Sequence, residues 1–162
     1  MKDSLKIRPI ESKDNLLMKK VIHQVMPEFG AEGDGFAIHD DEVNDLFEAY
    51  QKPQCIYYVI EYHSKIIGGA GIAPLKGGDF ETAELRKMYF LKEFRGQGIG
   101  KKLLSLLIKK AKECGFKRIY LETMPEMKSA NFLYQSLGFE KRNSPLGNTG
   151  HFGCQSWYEK WI

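Results

Sequence analysis

Three glycines alternate with other residues in the short segment Arg95-Gly96-Gln97-Gly98-Ile99-Gly100, which lies between a predicted strand at 82–91 and a predicted helix. The helix is indicated by apolar residues at helical spacing: Ile99, Leu103, Leu106, Leu107 and Ala111. A glycine loop at a helix start brings backbone N–H groups together, where the helix dipole favours an anion such as phosphate. A tight strand-to-helix turn without a ligand is the alternative interpretation.

The rest of the chain predicts a mixed α/β domain that spans residues 1–162. Apolar periodicity and turn residues predict these further elements: a strand at 5–8, a helix at 14–25, a helix at 40–50 capped by Asp40 or Asp41, a hairpin at 55–62 and 66–73, a strand at 119–123, a helix at 127–137 closed by Gly138, and strands at 139–142 and 154–161. Antiparallel hairpins therefore precede a strand-helix-strand-helix unit.

Spacing excludes two well-known phosphate loops. A Walker loop needs Gly-x-x-x-x-Gly-Lys-Ser/Thr, but Gly100-Lys101 is followed by Lys102, and position 95 is an arginine. A dinucleotide fingerprint needs Gly-x-Gly-x-x-Gly, but its third glycine would fall at Lys101. The segment is therefore neither a nucleoside triphosphate loop nor a dinucleotide loop.

The hexamer does resemble the acetyl-CoA signature Gln/Arg-x-x-Gly-x-Gly/Ala of the GNAT (GCN5-related N-acetyltransferase) superfamily, and the predicted elements place it after a fourth strand and at the start of a third helix. The resemblance covers nearly the whole chain. It implies the acyl-CoA N-acyltransferase fold: a mostly antiparallel central sheet that splays between strands 4 and 5 and is flanked by about four helices. It also implies transfer of an acetyl group from acetyl-CoA to a primary amine of a small molecule or peptide, by direct attack in a ternary complex.

The same resemblance implies a set of donor-binding residues. The Met88 amide would face the thioester carbonyl, and Phe90 would contact the pantetheine arm. Many members carry an asparagine seven residues before the family tyrosine, where this chain has Met127. Asn131 is one helical turn away from that position. The candidate acetyl-CoA-binding residues are Met88, Tyr89, Phe90, Arg95, Gly96, Gln97, Gly98, Ile99, Gly100, Lys101, Asn131 and Tyr134.

Three residues are candidates for the chemistry. Tyr134 lies in a segment that resembles the family's tyrosine-x-x-leucine-glycine-phenylalanine motif, which implies that it protonates the CoA sulfur. Glu84 stands eleven residues before Arg95, the separation at which histone-type members carry a general base. His151 lies in a loop between the last two strands, and its ordinary pKa of about 6.5 suits a base. The alternatives are a core tyrosine, an acid paired with Arg86, and a surface histidine. Cys154 without a base partner is a weak nucleophile candidate.

Charge is unevenly distributed along the chain, although the formal net charge is only +3. Seven basic residues against one acid lie between residues 92 and 112, and eight acids without lysine or arginine lie between residues 28 and 48. The basic stretch suits the phosphates of CoA, and the acidic stretch would attract a cationic amine. Solvated helix faces explain both stretches equally well. Nucleic acid and membrane are not expected as partners.

The three cysteines form no Cys-x-x-Cys pair, so neither a disulfide framework nor a zinc site is expected. We expect no metal and possible homodimers. We also expect a cytoplasmic location, since no signal peptide or membrane-spanning run is visible. The competing hypothesis is a non-catalytic acyl-CoA-binding or regulatory module with the same fold.

Overall fold

The computed structural model describes residues 4–162. Seven strands and four α-helices follow one another in this order: β1 Leu5–Pro9, α1 Asn15–Val25, α2 Leu46–Ala49, β2 Ile56–Tyr62, β3 Lys65–Pro74, β4 Thr82–Phe90, α3 Ile99–Glu113, β5 Arg118–Thr123, α4 Lys128–Ser136, β6 Glu140–Arg142 and β7 Ser156–Trp161. The predicted mixed α/β class, the hairpin and the strand-helix-strand-helix unit are confirmed.

All seven strands belong to one sheet in the order β1-β2-β3-β4-β5-β7-β6. Every neighbouring pair is antiparallel except β4 and β5, which are parallel and connected through α3. Helices α1 and α3 pack on the central strands. The buried face of α3 contains Ile99, Leu103, Leu104, Leu107 and Ala111. Leu106, predicted to be part of this face, is only half-buried, and Leu104 takes its place.

The predicted helix at 40–50 is wrong in its extent and in its cap. A 3₁₀ turn at Asp41–Asn44 is separated from the short helix α2 by Asp45, whose φ of −148° interrupts the helical backbone. The Asp45 carboxylate caps α2 by accepting the Glu48 amide at 3.0 Å. Asp40 makes no capping bond with its side chain, because that carboxylate binds Lys87 and His151 instead.

Strands β4 and β5 pair over only three residues, from Thr82–Arg118 to Glu84–Tyr120, and then separate. This is the splay that the family resemblance implied. Where they separate, two residues of β4, Lys87 and Met88, stand opposite the single residue Ala70 of β3. Lys87 has a φ of +50°, in the left-handed region that side chains other than glycine rarely adopt. A β-bulge therefore bends β4 away from β5.

The Tyr57 side chain holds this bulge in place. Its buried hydroxyl donates a 2.8 Å hydrogen bond to the Lys87 carbonyl. The tyrosine ring lies over Gly69 and Gly71 of β3, where a Cβ atom would come within 2.8 and 2.5 Å of ring carbons. Two glycines in the neighbouring strand thus make room for the ring that fixes the split in the sheet.

Candidate active site

The glycine loop joins the end of β4 to the start of α3. Gly98 stands directly before the helix with a φ of +78°, and Gly96 has a φ of +74°. The first intrahelical bond runs from the Lys102 amide to the Gly98 carbonyl at 3.2 Å, so the preceding amides of the first turn have no partner within the helix. These amides form the anion-favouring end of α3.

Arg95 fixes the start of this loop. Its Nε donates to the Phe90 carbonyl at 2.8 Å, and its Nη1 lies 2.8 Å from a Glu28 carboxylate oxygen. Its guanidinium also lies over the Phe29 ring, 5.4 Å from the centroid. The third nitrogen, Nη2, is buried without a hydrogen-bond partner in the described part of the chain. Arg95 therefore ties the loop to β4 and to the segment after α1.

A cleft of about 690 Å³ runs from the glycine loop into the split between β4 and β5. Tyr89 pairs with Gly69, and the Leu91 amide donates to the Ile67 carbonyl at 2.9 Å. Because successive residues of a strand turn their amides to opposite edges, the Met88 and Phe90 amides face the edge that β5 leaves open. The split thus offers backbone donors along one wall of the cleft.

Tyr134 lies at the inner end of this cleft, on the last turn of α4. Its side chain is 5% exposed and packs against the rings of Phe139 and Tyr158, with centroids 6.0 and 5.9 Å away. Burial raises the pKa of this phenol well above its usual value, so the hydroxyl carries its proton at neutral pH.

A second, smaller cavity of about 50 Å³ lies between the separated strands and shares Tyr134 with the lining of the cleft. Its apolar lining includes Phe29, Phe36 and Leu121, and its polar lining includes Lys87 and Glu122. Cys154 also lines it, and burial raises the pKa of that thiol to about 12. A thiol that stays protonated at neutral pH is a poor nucleophile, which disfavours a covalent acyl-cysteine.

Two acids and a histidine meet on the far side of the split. The Nδ1 atom of His151 lies 3.6 Å from the nearest oxygen of Glu122 and 4.0 Å from that of Glu84. Glu122 also accepts hydrogen bonds from the hydroxyls of Thr149 and Tyr120, the latter at 3.1 Å. Glu84 is 3% exposed, and burial raises the pKa of its carboxyl, although Arg86, at 2.6 Å, opposes this effect.

A salt bridge holds His151 on its other side, where Nε2 lies 2.8 Å from an Asp40 oxygen. Burial lowers the pKa of His151, but the hydrogen bonds to Asp40 and then to Glu122 outweigh it and raise the pKa to about 9. Asp40 also accepts from the ammonium of Lys87, whose side chain is fully buried and binds Glu42 at 2.7 Å as well. His151 is therefore an imidazolium at neutral pH in the unliganded protein.

We expect replacement of His151 by asparagine to destabilise the fold in a pH-dependent way. The raised pKa of His151 contributes stability that is fully present below about pH 6.5 and is lost as the pH rises through about 9. At pH 6 the variant should lose on the order of 2–3 kcal/mol of unfolding free energy, and at pH 9.5 much less. Urea unfolding at both pH values measures this.

The matched control is His23→Asn, because His23 is exposed on α1. Its loss of unfolding free energy should be small, as for most surface substitutions. An equally large loss for His151→Asn at pH 6 and pH 9.5 would show that the imidazolium charge does not stabilise the loop.

The three candidate chemical residues thus lie around one split, with Tyr134 on the cleft side and Glu84 and His151 on the opposite side. Most candidate donor-binding residues line the cleft: Met88, Tyr89, Phe90, Arg95, Gly96, Gly98, Gly100, Lys101 and Tyr134. Three do not line it. Gln97 donates to the Glu93 carbonyl, Ile99 is packed in the core, and Asn131 donates to the Met124 carbonyl at 3.0 Å.

Glu122, Lys87 and Asp40 were not recognised as site residues from the sequence. Glu122 had a visible signal, since it is the one charged residue in the predicted buried strand at 119–123. Lys87 and Asp40 had none, because their burial and pairing depend on a contact across 47 positions of the chain. Glu84, Glu122 and His151 could also hold a metal ion, with ligand atoms all within 4.8 Å of one another. Arg86 and Lys87 already provide positive charge beside these carboxylates.

The split sheet with a glycine loop at its open end is the architecture of an acetyltransferase. Residues 18–139 match the family described as acetyltransferase (GNAT) family, and the chain belongs to this family. It is 43% identical over 150 residues to the uncharacterized N-acetyltransferase YjgM of Escherichia coli, covering 92% of this chain and 90% of that protein. It is also 31% identical over 104 residues to human N-acetyltransferase 8B, covering 62% of this chain and 45% of the human protein.

Solved structures have the same fold. A GNAT-family acetyltransferase from Staphylococcus aureus superposes with a TM-score of 0.85 at 23% identity, covering 97% of this chain and 98% of that one. YncA from Salmonella typhimurium, solved with its cofactor acetyl-CoA, superposes with a TM-score of 0.79 at 22% identity, covering 98% and 94%. No helix within residues 4–162 is long and apolar enough to cross a membrane.

Proposed function

We propose that this chain is an N-acetyltransferase that moves an acetyl group from acetyl-CoA to a primary amine of a small molecule or peptide, by direct attack in a ternary complex. The observation that carries the proposal is a pair of neighbouring cavities that share Tyr134 in their lining. The large cleft is lined by the anion-favouring start of α3, by the end of β4 and by Tyr134, and the small cavity is lined by Tyr134 and Glu122.

The donor is assigned from the shape and chemistry of the large cleft. The pyrophosphate of CoA would bind at the free amides after Gly98, beside Lys101. The amide-containing pantetheine arm would lie along Phe90, whose own amide faces the opening. YncA, which shares this fold, was solved with acetyl-CoA, and this supports the same donor here.

The chemistry needs a donor for the thioester oxygen and a proton for the departing thiolate. The amine nitrogen attacks the thioester carbon, and the Met88 amide stabilises the negative charge that develops on the carbonyl oxygen. The carbon–sulfur bond then breaks, and the Tyr134 hydroxyl protonates the CoA sulfur. The attacking nitrogen, positively charged after the attack, releases a proton to solvent, and Tyr134 regains a proton from solvent, so that free CoA and the neutral amide leave.

The attacking amine must first lose a proton, and the base is one of two carboxylates, Glu122 or Glu84. Glu122 is the carboxylate that lines the small cavity, and Glu84 stands behind it with a raised pKa. Either carboxylate can take the proton directly or through water. His151, with a pKa raised to about 9, lies within 4.0 Å of both acids at Nδ1 and places a positive charge beside them. No step of the proposed reaction uses a metal ion.

The test of the proposal is release of CoA thiol when purified protein is given acetyl-CoA and a panel of primary amines. The panel should contain polyamines, free amino acids, antibiotics with amino groups and peptides with free N-termini, because the fold does not fix the acceptor. An amine-dependent rate supports the proposal. Tight binding of CoA without stimulation by any amine would favour the non-catalytic acyl-CoA-binding module instead.

Replacing Gly98 with valine is expected to abolish donor binding. A β-branched residue is strongly disfavoured at a φ of +78°, so the loop must change its backbone and its amides no longer converge. We expect CoA affinity to fall at least about 100-fold, the scale of several lost charge-assisted hydrogen bonds. Isothermal titration calorimetry with CoA measures this.

Gly115→Val is the matched control, since Gly115 follows the other end of α3 with a φ of +87° and open space around it. This variant should suffer the same backbone strain and bind CoA normally. Unchanged CoA affinity in Gly98→Val would overturn the placement of the pyrophosphate.

A further inference from the structure

Five residues line both the large cleft and the small cavity, and so surround the opening between them: Phe29, Met88, Tyr89, Met127 and Tyr134. Any acyl group carried by CoA has to pass this opening to reach an amine in the small cavity. We propose that Met127 limits the size of that acyl group, so that the enzyme uses acetyl and propionyl thioesters and excludes butyryl and longer ones. This inference rests on the proposed function.

The volume of the small cavity sets the limit. A space of about 50 Å³ accommodates about four water-sized atoms, at 10–15 Å³ for each. An acetyl group brings three heavy atoms beyond the sulfur, and the attacking nitrogen is the fourth. A propionyl group adds one methylene, which small movements of the lining can accommodate. A butyryl group adds two, and its end would overlap the cavity wall.

Met127 is the part of that wall that a longer chain would meet and that its neighbours hold in place. Its sulfur accepts a hydrogen bond from the Thr123 hydroxyl at 3.6 Å, and Thr123 is buried in β5. Its backbone is fixed as well, since its amide donates to the Met124 carbonyl at 3.1 Å and its carbonyl accepts the Asn131 amide at 3.0 Å. The side chain therefore keeps one position at the opening, although methionine is intrinsically flexible.

The other residues at the opening are less suited to setting this limit. Tyr134 is needed at the sulfur in the proposed reaction, and Met88 and Tyr89 belong to the bulged strand that carries the amides. Phe29 lies at the outer end of the segment after α1, under the Arg95 guanidinium. Met127 directly precedes α4 and is bonded to Thr123 of β5, so it belongs to the wall that the strand and the start of α4 form.

The experiment compares acetyl-, propionyl-, butyryl- and hexanoyl-CoA with the wild type, Met127→Ala and Met127→Leu. For the wild type we expect kcat/KM with butyryl-CoA to be at least about 20-fold below that with acetyl-CoA, as for misfitting methylenes in a hydrophobic pocket. Met127→Ala should raise the butyryl-to-acetyl ratio at least about tenfold. Met127→Leu, which keeps the volume, should keep the wild-type ratio. Met127→Val, which removes fewer atoms, replaces the alanine variant if that one does not fold.

Calorimetric affinities for acetyl-CoA and butyryl-CoA, measured without an amine, separate this inference from the proposed function. If no amine is acetylated, the proposed function fails, and the affinity ratio still decides whether Met127 limits the acyl group. The inference is overturned if the wild type binds and uses butyryl-CoA as well as acetyl-CoA, or if a folded, smaller side chain at position 127 leaves the ratio unchanged.

Discussion

Replacing Tyr134 with phenylalanine is expected to lower kcat by about 100-fold or more while leaving the KM for acetyl-CoA nearly unchanged. Loss of a positioned proton donor typically costs 10²- to 10⁴-fold in rate. The ring that packs against Phe139 and Tyr158 remains, so the aromatic packing is kept. The variant should therefore fold and bind the donor normally. Steady-state kinetics of thiol release measure both constants.

Tyr158→Phe is the matched control, because it removes a hydroxyl from the same aromatic group while lying outside both cavities. Its kcat should stay within a few-fold of the wild type. Burial raises the pKa of Tyr134 well above 10, so the activity that depends on it should not fall between pH 7 and pH 9 through ionisation of this phenol. A kcat for Tyr134→Phe equal to that of the wild type would rule out this tyrosine as the acid.

Replacing Lys87 with methionine is expected to produce the largest loss of stability, about 3 kcal/mol of unfolding free energy. The substitution keeps most of the buried stem but removes the ammonium that lies 2.5 Å from Asp40 and 2.7 Å from Glu42. Breaking a buried ion pair on one side leaves the remaining charges uncompensated, which typically costs 3–5 kcal/mol. The loss of unfolding free energy expected here is at the low end of this range, because Asp40 remains paired with His151 and Glu42 remains paired with Arg86.

Urea unfolding measures this loss, and Lys110→Met is the control. Lys110 makes an ion pair of similar length with Glu113, at 2.7 Å, but both side chains are about one third exposed or more. Its removal should leave the unfolding free energy nearly unchanged, because exposed ion pairs contribute little. Equal losses for the two lysines would mean that the buried pairs at the bulge contribute no more than a surface pair.

Local features of the fold could be predicted from the sequence because they depend on neighbouring residues. The hairpin of β2 and β3, the extent of α3 and the glycine after α4 follow from periodicity and from the φ values that glycine allows. Gly138, with a φ of +81°, closes α4 as predicted. The helix at 40–50 was wrong because Asp45 satisfies the backbone of a separate short helix, while Asp40 finds charged partners in distant parts of the chain.

In the candidate site, too, local motifs could be predicted from the sequence and contacts between distant residues could not. The glycine loop and the tyrosine segment were predictable, since short motifs carry them. The cluster of acids around His151 was not predictable, since the His151 and Asp40 side chains that meet there are 111 positions apart. Glu84 and Glu122 come near each other because β4 and β5 are parallel neighbours at Glu84 and separate directly beyond it. A pattern in either strand alone does not show that separation.

The sequence by itself determined the family and the place of the glycine loop, because Gly98 and its neighbours dictate a left-handed turn before a helix. Only the tertiary structure decided which side chains share the space beyond that loop. The bulge at Lys87, held by Tyr57, opens the sheet, and the opening brings Tyr134, Met127 and Glu122 around one small cavity. These contacts are set by packing between distant segments, which local backbone preferences do not specify.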